Sequence, residues 1–302
     1  MVQINALRKA LQAHLGWHGA RLTFLAMFLT ALFRVKTVNF TELATAFPSS
    51  AQSASSYKRL QRFFRDFELD YGNWTKFIVN LLGIPQPWTL SLDRTNWEFG
   101  GTVHNILMLG VVHQGVAIPL LWWMLDKAGN SNTTERITLV EELLALFPDV
   151  NIADLTADRE FIGKDWFAYL LGHPNQPFRI RIRQSEKLWK GRQVSTGQRL
   201  FQQLRVGERQ VLRHRRQLWG HWVYIAALRL ADGDLLIVVT NHAPRSAIAD
   251  YAKRWGIETL FGCLKTRGFC LESTHLTDLG VSVAMEPDFA LRVFQRQTDN
   301  FY

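Results

Sequence analysis

The chain has 302 residues, of which 47% are hydrophobic and 20% are charged, values typical of a globular protein. This composition excludes a disordered chain, and the length allows one large domain or two to three small ones. The formal net charge of +9 favours a polyanionic partner, either nucleic acid or an anionic membrane. The early apolar run from Leu22 to Phe33 is shorter than the roughly 20 residues of a membrane span. We therefore expect a cytoplasmic protein with no membrane partner.

Residues 1–85 are predicted to form helices. Leucines recur at helical spacing from Leu7 to Leu15 and again from Leu22. A short helix after Asn39 is followed by a break at Pro48 and then by a basic helix that carries Lys58, Arg59 and Arg62. This order is typical of a helix-turn-helix protein. A basic helical lobe that contacts only phosphates explains the same charges equally well.

Residues 86–183 change to the two-residue alternation of strands. Trp88 to Asp93 is predicted as a strand that ends on an acid, and a hairpin turns at His113-Gln-Gly115. A helix capped near Asn132 follows, and then a second strand ends on Asp158. A helix and one more strand, from Phe178, complete the segment. The predicted order is three strands, helix, strand, helix, strand.

Residues 184–240 are predicted to form a basic, β-rich insertion. Between Asn175 and Trp222 the sequence has twelve Lys and Arg against two acids, a surplus of ten, so the rest of the chain is close to neutral. Residues 241–278 follow with a helix on which Tyr251, Arg254, Glu258 and Lys265 share one edge, at about 100° per residue. Trp255 and its apolar neighbours are expected to anchor this helix in the core.

Asp93, Asp158 and Glu258 are the candidate catalytic acids. Two neighbouring strand ends can bring the aspartates together, and a packed helix can add the glutamate. Carboxylate oxygens suit Mg²⁺, and two such ions can drive phosphodiester cleavage. Asp93 could instead open a turn, and Asp158 could cap the helix that follows it.

Other chemistries have weaker support in the sequence. A two-carboxylate glycosidase, with Trp97, Trp122 and Trp123 as sugar platforms, leaves the basic surplus unexplained. Cys263 and Cys270 fit neither a zinc site nor a disulfide framework, and we expect them to be reduced. The histidines show no i,i+4 ligand pair.

The spacing Tyr251-(2)-Arg254-(3)-Glu258-(6)-Lys265 resembles the signature of the DDE transposases of bacterial insertion sequences. Ser91 to Trp97 and Ala157 to Phe161 resemble the blocks that hold the two catalytic aspartates of that group. The resemblance implies a ribonuclease-H-like α/β core with a mixed five-stranded sheet and flanking helices. It also implies a β-rich insertion and an N-terminal helical DNA-binding region.

The resemblance further implies that Asp93, Asp158 and Glu258 bind Mg²⁺, for which Mn²⁺ could substitute. Arg254 and Lys265 would contact phosphates of the transposon end, and Tyr251 would help to position it. An insertion tryptophan would stack on an extruded base, and Trp189, Trp219 and Trp222 remain open. The complete set of expected DNA-binding residues is Tyr251, Arg254, Lys265, Trp255, Arg159, Lys58, Arg59, Arg62, Trp189, Trp219 and Trp222.

The implied function is cleavage at terminal inverted repeats and strand transfer into target DNA, by a nucleoid-associated homodimer. A catalytically impaired derivative that binds DNA and represses transposition is the alternative. The sequence departs from the group after Asp278, because residues 279–302 lack regular helical periodicity. We expect this tail to weaken the packing behind the Glu258 helix.

Overall fold

The computed structural model describes residues 2–65, 70–99, 102–172 and 176–270. The predicted tail at 279–302, and the end of the segment predicted at 241–278, lie outside the described residues. Among the described residues no single helix is long and apolar enough to cross a membrane. The helices Gly19–Val35 and Phe40–Ala46, bent by 105° at their junction, meet that criterion together by length and composition alone.

The N-terminal part is helical, as predicted. Its apolar side chains form a core of their own around Leu22, Leu43 and Leu60, which are fully buried. Asn39 caps the short third helix by accepting from the backbone of Thr41 and Glu42, which stabilises its first turn. The helices are α1 (Val2–Gln12), α2 (Gly19–Val35), α3 (Phe40–Ala46), α4 (Ser53–Arg65) and α5 (Tyr71–Leu82).

A large mixed sheet follows, and its first five strands are β1 (Trp88–Phe99), β2 (Thr102–His113), β3 (Val116–Leu125), β4 (Ile152–Ala157) and β5 (Phe178–Ile182). They lie in the order β3-β2-β1-β4-β5, with β1 central. β2 runs antiparallel to β1 and β3, whereas β4 runs parallel to β1 and β5 parallel to β4. The mixed sheet and the predicted hairpin after β2 are confirmed, but the sheet has eleven strands among the described residues and not the predicted five.

Two helices, α6 (Thr133–Leu146) and α7 (Lys164–Gly172), contribute to the main core beside β1, β4 and β5. Asn132 begins α6 with a capping box, in which its side chain and that of Glu135 each bond to the other's backbone N–H. This is the cap predicted near Asn132. The predicted helix after Asp158 begins at Lys164, later than expected.

The segment predicted as an insertion contains short strands and one short helix: β6 (Lys187–Lys190), β7 (Gln193–Thr196), α8 (Gly197–Leu200), β8 (Arg209–Val211), β9 (Arg216–Leu218), β10 (His221–Arg229) and β11 (Leu235–Thr240). β11 pairs with β5 and β10 pairs with β11, so these two strands continue the main sheet. The remaining strands extend from β10.

The predicted single helix from Tyr251 to Lys265 is wrong, because the chain divides it into three parts. They are α9 (Ala247–Ala252), α10 (Trp255–Gly262) and a π-helical turn (Cys263–Arg267). At the junction the N–H groups of Arg254, Gly256 and Ile257 bond three residues back. The tighter turn lets α9 pack on β10 and β11, whereas α10 packs on β1, β2 and β3.

Candidate active site

The three predicted acids lie close together where β4 ends beside β1 and α10 packs on the sheet. Asp93 lies in the middle of β1 and not at its end, which corrects the prediction, because β1 continues to pair with β2 as far as Phe99. The parallel neighbour β4 does stop here, since the last pair is Leu92 with Ala157. The next residues of the two strands, Asp93 and Asp158, therefore lie side by side.

Arg254 joins two of the acids. Its Nη1 donates to Oδ2 of Asp93 at 2.8 Å, and its Nη2 donates to Oε1 of Glu258. Tyr251 meets the third acid, because its hydroxyl donates to Oδ1 of Asp158 at 3.4 Å. These side chains come from β1, the end of β4, α9, α10 and the turn between the two helices, and they form one polar cluster. We call this cluster the acidic site; it consists of Asp93, Asp158, Tyr251, Arg254 and Glu258.

The two donors of the acidic site are held in their protonated forms. Burial raises the pKa of Tyr251 to about 12, so the phenol remains a donor at neutral pH. Burial alone would lower the pKa of Arg254, but Tyr251 and the carboxylates of Asp93, Asp158 and Glu258 outweigh it and raise the pKa above its ordinary value. Arg254 is therefore a permanent cation with a side chain only 7% exposed.

The charged form of Asp93 is disfavoured by its burial. Burial raises the pKa of this carboxyl to about 6, although the charge of Arg254 and the backbone N–H of Arg94 oppose the shift. The neighbouring carboxylates of Glu160 and Asp158 raise the pKa further. An added cation would therefore stabilise the charged form of Asp93.

The chemistry of these donors fits a hard divalent cation, because all three acids offer carboxylate oxygens. In the described parts of the chain, no three His, Cys, Asp or Glu side chains are grouped so that they could hold a metal ion. Asp93 and Glu258 instead face the guanidinium of Arg254. The residue types fit the ion, and Arg254 is the cation that now neutralises them.

Sequence reasoning missed a second ion pair beside Asp93. The guanidinium of Arg94 donates to both carboxylate oxygens of Glu160, at 3.2 and 3.3 Å, and also to Asn105. Arg136 in turn donates to the backbone carbonyl of Glu160, which fixes the loop after Asp158. The signal was present, since Arg94 and Glu160 belong to the same two sequence blocks as the aspartates.

A third charged group, also missed, fixes α9 to the sheet. Arg179 on β5 is 2% exposed, and its Nε and Nη2 both donate to Oδ2 of Asp250 at 3.3 Å. Lys253 donates to the other oxygen of Asp250 at 3.2 Å. Because Asp250 directly precedes Tyr251, this ion pair sets the rotation of the helix that carries the acidic-site donors.

The other predicted residues of this region lie at its rim. Lys265 donates to the backbone carbonyl of Asn96, next to the acidic site on β1. Trp255 is 61% exposed and does not anchor the helix, which corrects the prediction. Gly256 and Ile257 face the sheet instead, because α10 begins only after the tight turn. Arg159 is exposed beside Asp158.

The three insertion tryptophans differ in their surroundings. Trp219 is partly buried, packs edge-on against Phe167 at 5.0 Å and lies against the main core. Trp189 is 40% exposed and, together with Lys187 and Trp219, lines an open cleft of about 680 Å³. Trp222 is 52% exposed. Trp189 and Trp222 are therefore the more exposed of the three.

The three predicted DNA-binding cations of α4 also differ in their exposure to solvent. Lys58 and Arg62 are exposed. Arg59 is half-buried, with its guanidinium over the rings of Phe24 and Phe47 at 5.4 and 5.8 Å. Arg59 therefore supports the helical core as well as contributing charge.

A family model described as "Transposase DDE domain" matches residues 86–285. No curated protein matches the chain. Among solved structures, a piggyBac transposase synaptic complex with hairpin DNA is similar at 12% identity and a TM-score of 0.48, over 88% of this chain and 66% of that one. This chain thus spans just under two-thirds of the length of that transposase.

An Endonuclease V from Bacillus subtilis is similar at 13% identity and a TM-score of 0.32, over 64% of this chain and 90% of that one. At these values neither structural likeness bears on what this chain does.

Proposed function

Because the chain belongs to the family of the transposase DDE domain, we propose that it is a metal-dependent DNA transposase. It nicks DNA at the ends of an insertion sequence and transfers the freed strand to a target. The observation that carries the proposal is the convergence of Asp93, Asp158 and Glu258 around Arg254 and Tyr251.

The strand order supports a ribonuclease-H-like assignment for the core. β1 is central, β2 and β3 form an antiparallel hairpin beside it, and β4 and β5 lie parallel on its other side. The first acid lies on the central strand, the second directly follows β4, and the third comes from a helix after a strand-rich insertion.

In the proposed reaction Asp93, Asp158 and Glu258 hold Mg²⁺, or Mn²⁺ in its place. Bound metal would polarise the phosphate and favour ionisation of the attacking hydroxyl group. Tyr251 keeps Asp158 in place by its hydrogen bond. Arg254 and Lys265 bind phosphates of the transposon end. Arg159, which follows Asp158, and Trp255, which follows Arg254, are exposed.

The chemistry has two steps. A water oxygen attacks phosphorus at the element end, and the bond to the 3′ oxygen breaks, so that a 3′-hydroxyl and a 5′-phosphate remain. The 3′-hydroxyl then attacks a phosphodiester of the target DNA, whose own 3′ oxygen leaves. We propose that two chains pair the two ends, and that the basic insertion and the exposed Lys58 and Arg62 hold the DNA backbone.

A nicking assay tests the function. Supercoiled plasmid that carries the terminal inverted repeats is incubated with Mg²⁺ and wild-type protein, or with Asp93→Ala, Asp158→Ala or Glu258→Ala. We expect nicking by wild type, none by the three variants, and end binding by all four. Asp126→Ala, which removes an exposed acid of the loop after β3, is the matched control and should nick as wild type does.

Nicking near the wild-type rate by any of the three acid variants would remove that residue from the site. Wild-type protein that is folded and binds the ends but does not nick them would favour the alternative, a DNA-binding repressor of transposition.

A further inference from the structure

Arg254 is the only side chain of the acidic site that contacts two of the proposed metal ligands at once. It reaches across from the turn between α9 and α10 to β1, 161 residues earlier in the sequence. Its Nε is buried and makes no hydrogen bond among the described residues. The guanidinium is thus paired with two carboxylates, and it also lies over the rings of Tyr251 and Trp255 at 5.7 and 5.9 Å.

Both oxygens of Asp93 are engaged. Oδ1 accepts from the backbone N–H of Arg94 at 2.8 Å, and Oδ2 accepts from Arg254 at 2.8 Å. The first partner belongs to the backbone of a paired strand and cannot leave without breaking the sheet. The second is the end of a long side chain. If a divalent ion is to bind Asp93, the guanidinium is the group that moves.

A guanidinium and a divalent ion also repel each other at the same carboxylates, and repulsion is strong where water is scarce. A buried guanidinium cannot simply withdraw, because an unpaired buried charge is costly. It needs another anion in exchange. A phosphate of bound DNA has the charge and the paired oxygens that suit an arginine.

We propose that Arg254 is an ionic latch that couples DNA binding to metal binding. Without DNA it pairs with Asp93 and Glu258 and opposes metal binding at them. When a DNA phosphate takes over the guanidinium, the two carboxylates are released for the metal. The inference rests on the proposed function, since it uses the same three acids as metal ligands.

Titration of Mn²⁺ into DNA-free protein by isothermal calorimetry tests the latch without any reaction. Arg254→Gln should bind Mn²⁺ more tightly than wild type, by about 5- to 150-fold, the usual range for coupled sites. Arg254→Lys keeps the charge but reaches only one carboxylate at a time, so its affinity should lie between the two. Far-UV circular dichroism and urea unfolding confirm that each variant is folded.

Arg94→Gln is the matched control, because Arg94 also neutralises an acid near Asp93 but pairs with Glu160 and not with a proposed ligand. Its effect on Mn²⁺ affinity should be smaller than that of Arg254→Gln. An equal increase in both variants would mean that general charge is responsible and would overturn the latch. Unchanged or weaker binding by folded Arg254→Gln would overturn it as well.

The coupling is reciprocal, so the second measurement is DNA affinity with and without Ca²⁺, read by fluorescence anisotropy of a labelled duplex of arbitrary sequence. Ca²⁺ should strengthen binding by wild type more than by Arg254→Gln, and equal effects would contradict the latch. Failure of the underlying function looks different: neither wild type nor Arg254→Gln would then bind Mn²⁺, or Asp93→Ala would bind it as well as wild type does.

Discussion

Asp154 on β4 allows a quantitative test of how burial shifts the pKa of a carboxyl group near the acidic site. It is 2% exposed, and its Oδ1 has no hydrogen-bond partner among the described residues. Burial raises the pKa of this carboxyl to about 6, although Lys253 and Arg179 attract its charge; Asp250 raises the pKa further. The charged form is therefore less favourable in the folded chain than in the unfolded one.

The sign of the pH dependence follows from that shift. A folded-state pKa of about 6, against an ordinary value of 3.8, means that the folded chain binds the proton more tightly. The resulting stabilisation is fully present below pH 3.8 and is lost as the pH rises through about 6. The total is about 3 kcal/mol, of which about 1.4 kcal/mol is lost between pH 5 and pH 8.

Asp154→Asn removes this titration and nearly preserves the shape of the side chain. The variant should be more stable than wild type at pH 8, and its advantage should shrink by about 1.4 kcal/mol at pH 5. Urea unfolding of both proteins at the two pH values measures the change. Because the same two proteins are compared at both pH values, the contributions of the other titrating groups and of the packing of the amide cancel in the difference.

A constant difference between the two proteins at pH 5 and pH 8 would refute the reasoning. An advantage that grows at pH 5 would show that the attraction of Lys253 and Arg179 exceeds the cost of burial. The pKa of Asp154 would then be lowered and not raised.

The helix and the insertion give two further predictions. Gly256→Ala should destabilise the fold by about 1–3 kcal/mol, because its Cβ would meet backbone atoms at the start of β3 at 3.1 and 3.2 Å. Gly262→Ala should instead stabilise the fold by up to about 1 kcal/mol, because the nearest atoms to its Cβ belong to the Arg267 side chain at 3.6 Å or more. Thermal unfolding of both variants measures whether each one is less or more stable than wild type. Trp219→Ala should cost on the order of 3 kcal/mol of stability. Trp189→Ala should leave urea unfolding nearly unchanged but weaken DNA binding by about 1–3 kcal/mol if a base stacks there, and unchanged affinity by anisotropy would exclude Trp189.

The strands were the most predictable part of the fold. Alternation located β4 and β5, and the turn at Gln114-Gly115 located the β2–β3 hairpin, because each of these patterns is local. The strand predicted to end on Asp158 ends one residue earlier, at Ala157. The end of β1 was misjudged, since the polar run after Asp93 resembles a turn. Pairing with β2, which begins at Thr102, keeps that run extended.

The break between α9 and α10 was missed for a related reason. Lys253 and Arg254 have helical backbone angles, and the nearest glycine, Gly256, lies inside α10 and does not end a helix. What separates the two helices is the surface beneath each of them, β10 and β11 for α9 and the β2–β3 hairpin for α10. Trp255 faces solvent as a consequence, although its position in an unbroken helix predicted burial.

Of the two carboxylate partners of Arg254, only the one that is near in sequence can be predicted from helical spacing. Spacing on a helix predicts the contact with Glu258, four residues away. The contact with Asp93 joins residues 161 positions apart and depends on how α10 packs against β1. The sequence motif assigns Arg254 a phosphate partner in the DNA-bound form only. A buried cation, however, needs an anionic partner in the DNA-free form as well. Before DNA arrives the available anions are the acids themselves, so the same residue that fits a phosphate also neutralises the acidic site.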